Sequence, residues 1–399
     1  MVSSSGVFRM TDTIPRASIE QILDGLGFVA AQSGSTTFEA VRTHLLAASN
    51  RNAPNTPTAM WTVARDVLTE LAKLGLATIG VLPRKLSDVD RLRDSPCKIS
   101  IPGVRMAQLR TEKVGRAYDA LLILWLREHH YFRRLVLRLL ESPLYLPDVT
   151  SIGQLGLESI KGAPVPAISE TLITNCTTRL EAVGWAGDKL STLRSGIEAR
   201  VKDLRVELGA ADIDHKRLID LVQDGIVLPA FLEAEALPFD PVTFQQLLKC
   251  GQEFFCTAWT ASLPSFSGRV VFPTCEYDVP IHSDPNARVT QVVHHGLSYS
   301  EPLFNEAIRK AYIATAGGSS GYVSAYAVRA IVCIDLRAPL AVFARCLESL
   351  ISAGPHAGLS VYTELPFKPP PQGENYVEVN RRRIGQLKLI YKTGAERAD

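Results

Sequence analysis

The residue types best suited to chemistry in this sequence are three consecutive arginines, Arg381, Arg382 and Arg383. A guanidinium group binds two phosphate oxygens at once, so three in a row can clamp the backbone of a nucleic acid. Lys388 follows on the same predicted β-hairpin and belongs to the same candidate set. The pattern predicts a phosphate-binding site in the last part of the sequence.

A second basic set lies in the strongly charged stretch 83–96. Its basic members are Arg84, Lys85, Arg91 and Arg93. They are interleaved with Asp88, Asp90 and Asp94. The alternative to nucleic-acid contact is therefore a solvated loop whose charges neutralise one another.

A third basic segment, 129–134, mixes histidine and arginine with aromatic residues. Basic and aromatic side chains together can bind nucleic acid. The helical spacing, however, predicts that Phe132 packs in a core.

The sequence carries no complete motif for catalysis or metal binding. Zinc sites prefer cysteine pairs separated by two to four residues, whereas Cys250 and Cys256 are six apart. The glycine-rich stretch 317–321 lacks the Gly-Lys-Ser/Thr ending of a phosphate-binding loop. Glu364 and Lys368 have the wrong spacing for a metal-dependent nuclease. We therefore expect no cofactor and no metal.

Composition places the chain among ordinary globular proteins. It has 399 residues, of which 46% are hydrophobic and 21% charged, which is room for two or three domains. The first residues are polar and lack the apolar core of a signal peptide, so a cytoplasmic protein is expected. The seven cysteines are an odd number in a long chain, which favours reduced thiols over disulfides.

Charge is distributed unevenly along the chain. Basic residues outnumber acidic ones by 19 to 14 in residues 1–150 and by 12 to 9 in residues 301–399, but are outnumbered by 12 to 18 in residues 151–300. Basic ends around an acidic middle suit a protein whose ends contact an anion such as DNA.

Residues 1–15 are expected to be a disordered tail. Helical spacing then predicts helices from Ser18, from about Thr36, and over 58–74, where Gly75 ends the third. Strands are expected over 76–82 and 98–101, on either side of the charged stretch. One long helix is expected over 111–142 and another over 243–261.

Residues 301–399 repeat that order. Three helices are predicted over 303–315, 322–334 and 338–352, followed by strands over 359–365, 376–379 and 384–391. The fold class expected is therefore mainly α with small β-hairpins (α+β). The expected domains are 16–110, a helical middle 111–225, an irregular segment 226–300, and 301–399.

Three helices followed by strand, charged loop and strand resemble the winged helix-turn-helix superfamily. The phrase Leu71-Ala-Lys-Leu-Gly-Leu-Ala77, at the end of the third helix, strengthens that resemblance. It implies that the charged loop is a wing that meets the DNA backbone and that the third helix, which carries Arg65, is the recognition helix. Winged helices also serve as protein-docking modules.

These observations favour a non-enzymatic accessory protein that binds double-stranded DNA through basic wings. The layout of terminal winged helices around an acidic middle also resembles kleisin-like subunits, which bridge two ATPase heads. The alternative is therefore an interaction subunit of a DNA-processing or defence complex, partnered by an ATPase or by a second copy of itself. A bacterial mobile-element or defence setting would suit either. An enzyme built from Asp278, His282 and Asp284 is a lesser alternative.

Overall fold

The chain is mainly helical with small antiparallel sheets, in a computed structural model. This confirms the α+β class. The described residues are 14–32, 34–49, 57–112, 114–147, 163–208, 213–251, 254–259, 268–273, 277–281, 291–295, 301–318, 320–338, 340–354, 359–367 and 376–391. The expected tail 1–15 and the predicted turn at 282–287 fall wholly or almost wholly outside them. None of the described helices is long and apolar enough to cross a bilayer.

The chain divides into two compact units. Unit 1 contains Met1–Leu137, Val242–Glu253 and Tyr277–His295, and unit 2 contains Arg138–Pro241, Phe254–Glu276 and Gly296–Asp399. Unit 1 begins with a module of three helices and a three-stranded sheet, and unit 2 ends with another.

The module in unit 1 starts from a well-formed helix N-terminus. The Ser18 hydroxyl accepts from the Gln21 backbone N–H and the Gln21 side chain accepts from the Ser18 N–H, which satisfies two donors that a helix start leaves unpaired. Its elements are α1 (Ile19–Ala31), β1 (Thr36–Thr37), α2 (Phe38–Ser49), α3 (Pro57–Lys73), β2 (Ala77–Ile79), a 3₁₀ turn (Leu86–Asp88), α4 (Val89–Leu92) and β3 (Pro96–Ile99).

Its three strands form an antiparallel sheet in the order β1-β3-β2. Gly75 adopts φ +67° just after α3, the left-handed conformation that ends helices and favours glycine. The core consists of apolar residues at helical spacing, namely Ile22, Leu26, Val41, Val67, Leu68 and Leu71, all essentially buried. Gly25 lets α1 and α3 approach closely, because a Cβ there would lie 2.7 Å from Val67 Cγ1.

The helix expected over 111–142 is two helices. The elements that follow β3 are α5 (Ile101–Glu112), α6 (Val114–Glu128) and α7 (His130–Glu141). The break lies at His129, whose ring is fully buried. Unit 1 also contains α13 (Pro241–Cys250) and the hairpin β7 (Tyr277–Ile281) with β8 (Gln291–His295).

Unit 2 holds a helical layer and a sheet in the order β4-β6-β5. Its first elements are β4 (Leu144–Pro147), α8 (Val165–Glu181), α9 (Asp188–Asp203), α10 (Arg205–Leu208), α11 (His215–Val222), a π-helical turn (Gln223–Val227), α12 (Leu228–Ala234), β5 (Phe255–Trp259) and β6 (Gly268–Pro273). The helix expected over 243–261 was too long: α13 ends at Cys250, and 255–259 pair with β6 instead. Strand pairing has overridden the local pattern there.

The module that follows in unit 2 has the same order of elements as the first. It consists of α14 (Glu301–Ala316), β9 (Val323–Ser324), α15 (Ala325–Leu336), α16 (Leu340–Ala353), β10 (Leu359–Glu364), a hairpin of β11 (Val377–Val379) and β12 (Arg382–Ile384), and β13 (Gln386–Tyr391). The sheet order is β10-β13-β9. The last strand is central and the two-residue strand after the first helix is an edge, as in unit 1.

Candidate nucleic-acid interface

The β11–β12 hairpin presents the arginine triplet at and beside its tip. Val379 pairs with Arg382, so Asn380 and Arg381 form a two-residue turn. Both have positive φ, +51° and +63°, which is the pattern of a type I′ turn. Glycine is preferred at the second of these positions, and a bulky residue there costs about 1 kcal/mol. Arg381 therefore lowers the stability of the turn and places a positive charge at its tip.

The base of the hairpin is anchored by apolar side chains. Val377, Val379 and Ile384 are each 4% exposed or less, and β11 packs against α16. Residues 380–383 are all exposed. A rigid apolar base with a solvated polar end holds the guanidinium groups away from the core.

The three arginines differ in their neighbours. Arg383 lies 4.3 Å from the centre of the Tyr376 ring and its Nε is 3.4 Å from Glu378 Oε1. Neither Arg381 nor Arg382 has a carboxylate partner among the described residues. Two guanidinium groups therefore have their full donor set open to a ligand, and bidentate phosphate binding is the chemistry that they offer.

Lys388 does not lie with the triplet. It belongs to β13, the central strand of the sheet β10-β13-β9, where it pairs with Tyr362. It also lines a cavity of about 470 Å³ beside Ile313 and Ile390. Lys388 and the arginine triplet therefore belong to different sheets.

The charged stretch 83–96 contains a 3₁₀ turn and α4. Lys85 precedes the 3₁₀ turn, and Arg91 lies in α4. The Arg84 N–H donates to Asp88 Oδ2, Arg91 Nη2 is 3.5 Å from Asp88 Oδ1, and Arg93 Nε is 3.7 Å from Asp94 Oδ2.

All four basic side chains in this stretch are exposed. Two of them, Arg91 and Arg93, have carboxylates at ion-pair distance, so this stretch attracts an anion less strongly than the β11–β12 hairpin does.

Arg65 is already engaged within α3. Its Nη2 lies 2.9 Å from Asp66 Oδ1 and its guanidinium lies 5.0 Å from the centre of the Trp61 ring. The side chain is 23% exposed. A residue held in this way is poorly placed to read a base edge.

The third basic segment contributes to the core. His129 and Phe132 are fully buried, and the Trp125 ring packs edge-on against both. Burial also lowers the pKa of Arg133. The prediction that Phe132 packs in a core is therefore confirmed.

The sequence did not predict two buried polar clusters. In unit 1, His129 Nε2 is 2.8 Å from Glu70 Oε2, and both side chains are fully buried. In unit 2, Glu235 accepts from Arg138 Nε at 2.7 Å and from Lys189 Nζ at 3.1 Å. The partners are 59, 97 and 46 positions apart, and no local pattern pairs residues at such separations.

Most residues of the hypothetical zinc and enzyme sites have side chains that lie outside the described part of the structure. Cys275, His282 and Asp284 lie outside the described residues. Within the part that is described, no three His, Cys, Asp or Glu side chains are grouped to hold a metal. Cys97, Cys176, Cys250, Cys333 and Cys346 are free thiols.

No protein-family model matches this chain, and neither a curated protein nor a solved structure matches it.

Proposed function

We propose that this chain is a non-enzymatic accessory protein that binds double-stranded DNA through its phosphate backbone, with the β11–β12 hairpin as the main contact. The observation that carries the proposal is the exposed tip on which Arg381 and Arg382 have no carboxylate neighbour in the described structure. Arg383 follows them in sequence, lies over the Tyr376 ring and adds a third positive charge.

The topology supports the proposal. In both modules a short strand follows the first helix, two more helices follow, and the last strand pairs between the other two. We propose on this basis that both modules are winged helices. The hairpin of 377–384 is then an addition within the second wing.

The third helices favour binding that does not depend on base sequence. Arg65 of α3 is engaged by Asp66 and Trp61. In α16 the only basic residue is Arg345. Direct readout in the major groove needs several free polar side chains on one helix, and neither helix supplies them. Contacts to phosphate through the hairpin position a protein without reading sequence.

The test is the salt dependence of DNA affinity. A fluorescein-labelled random-sequence duplex should bind the full chain with an affinity that falls steeply with salt, because each neutralised phosphate contributes about −0.9 to the slope of log K against log salt. Replacing the three arginines by alanine should reduce that slope by about 2 to 3 and weaken binding alike for unrelated sequences.

A matched control is Lys202→Ala, Arg205→Ala and Lys216→Ala. It removes the same charge from exposed positions in the helical part of unit 2. Equal losses for the two triple variants would mean that net charge, and not the hairpin, drives binding. An unchanged slope in the arginine variant would refute the proposal.

The second candidate function is that of a protein-interaction subunit of a DNA-processing or defence complex, of kleisin-like layout. The observation that favours it is the exposure of large apolar side chains at the end of β10, where Leu365 is 68% and Phe367 81% exposed. Exposed apolar residues of this size mark protein contacts more often than phosphate contacts. Co-purification with an ATPase, together with DNA affinity that is insensitive to salt, would favour this function over the first.

A further inference from the structure

The second module contains a cavity of about 470 Å³ that the DNA proposal does not use. It lies between the end of α14, the connection to β9, and the last part of β13. The residues that line it are Tyr312, Ile313, Ala316, Gly318, Ser320, Lys388, Leu389 and Ile390. Its volume falls within the range of about 300–1,000 Å³ that is typical of small-ligand pockets.

The cavity begins where strand pairing stops. Every residue of β13 from 386 to 391 pairs with β10 on one side, but only Gln386 and Leu387 pair with β9 on the other. In the described structure, Lys388, Leu389 and Ile390 therefore have no strand partner on that second side. An unpaired strand edge is a template for another extended backbone.

The side chains around this edge define what kind of segment it can take. Ile313 is 52% and Ile390 44% exposed, so apolar groups form the open walls. Lys388 is the one charged residue in the lining, and within the described residues it has no carboxylate partner. The Tyr312 hydroxyl donates to the Gly321 carbonyl at 2.8 Å, which fixes the far wall.

We propose that this edge binds an extended peptide segment of a partner protein by adding it to β13 as a further strand. The segment carries an apolar, β-branched side chain that enters the cavity and an acidic side chain that pairs with Lys388. Backbone hydrogen bonds supply affinity in this mode of recognition, and side-chain pockets supply specificity. The site is distinct from the arginine hairpin, so the two ligands bind independently.

The experiment uses a random peptide library displayed on phage, selected on the immobilised full chain and counter-selected on the Ile313→Asp variant. The enriched peptides are synthesised with a fluorescent label, and their binding is measured by anisotropy. We expect β-branched residues and one Asp or Glu to be enriched. Binding should weaken by about tenfold or more in both Ile313→Asp and Lys388→Glu.

The matched control is Leu303→Asp. Leu303 is 43% exposed on the same helix but does not line the cavity, so its replacement should leave peptide binding unchanged. Backbone pairing is tested separately with peptides methylated at alternate amide nitrogens, which removes donors without changing side chains. Those peptides should lose binding.

Three outcomes would overturn the proposal. They are the absence of any enriched sequence, binding that survives both cavity variants, and binding that survives amide methylation. The arginine triple-alanine variant should still bind the peptide, so that failure of DNA binding and failure of peptide binding are told apart.

Discussion

The buried pair of Glu70 and His129 gives the sharpest test of how unit 1 is held together. Both side chains are fully buried, with 2.8 Å between His129 Nε2 and Glu70 Oε2. The other oxygen of Glu70 lies 3.8 Å from Lys73 Nζ and accepts no hydrogen bond within the described residues. Replacing His129 by leucine therefore leaves the Glu70 carboxyl group in the core without its hydrogen-bond partner.

The magnitude follows from that geometry. Leaving a buried polar group without its hydrogen-bond partner costs about 1–3 kcal/mol, whereas replacing both partners by apolar residues of the same shape is about neutral. We expect His129→Leu to destabilise unit 1 by that amount. The double variant with Glu70→Leu should recover most of the loss.

Hydrogen exchange measured by mass spectrometry is the appropriate assay, since it reports the free energy of opening of α3 and α6 separately from unit 2. Arg127→Ala, which removes an exposed ion pair with Glu128, is the control and should change protection by less than about 0.5 kcal/mol. A loss below about 1 kcal/mol in His129→Leu, or a double variant as unstable as the single one, would refute the reasoning.

Three further outcomes are expected. Burial raises the pKa of the Cys97 thiol from 9.0 to about 11 and that of Cys176 to about 12; neither should react with a thiol reagent at pH 8 before unfolding. Because the folded state holds those protons more tightly, stability should fall as pH rises above 9 towards 11, and a flat profile from urea titrations would contradict this. Glu235→Ala should destabilise unit 2 by about 3 kcal/mol in thermal unfolding, because the Arg138 guanidinium, 12% exposed, loses its carboxylate partner. A fall in melting temperature no larger than that of a surface variant would show that Glu235 does not stabilise unit 2 in this way. Arg381→Gly should remove the strain of positive φ from the type I′ turn and stabilise the hairpin by about 1 kcal/mol. The same change should weaken DNA binding. Equal or tighter DNA binding would argue against a phosphate contact at Arg381.

Local signals predicted most of the helices. Ser18 and Gly75 mark a helix start and a helix end because capping and left-handed backbone depend on neighbouring residues only. The predicted strand over 359–365 matches β10 (Leu359–Glu364), since alternation is also a local property.

The shortest strands escaped prediction. Thr36–Thr37 and Val323–Ser324 are two residues each, too short to show any periodicity, yet each completes a three-stranded sheet. Their existence depends on a strand that lies about 60 residues away in each case, and only the folded chain brings the two together.

The candidate site also combines features set by the sequence with features set by the tertiary structure. The sequence by itself determined that Arg381, Arg382 and Arg383 are adjacent and carry three positive charges. Only the tertiary structure decided that the first lies at a turn with positive φ and that the third stacks on an aromatic ring. It also placed Lys388 beside a separate cavity. Charge and helix periodicity are properties of neighbours in sequence, whereas exposure and pairing are properties of neighbours in space, which the chain acquires when distant strands and side chains meet.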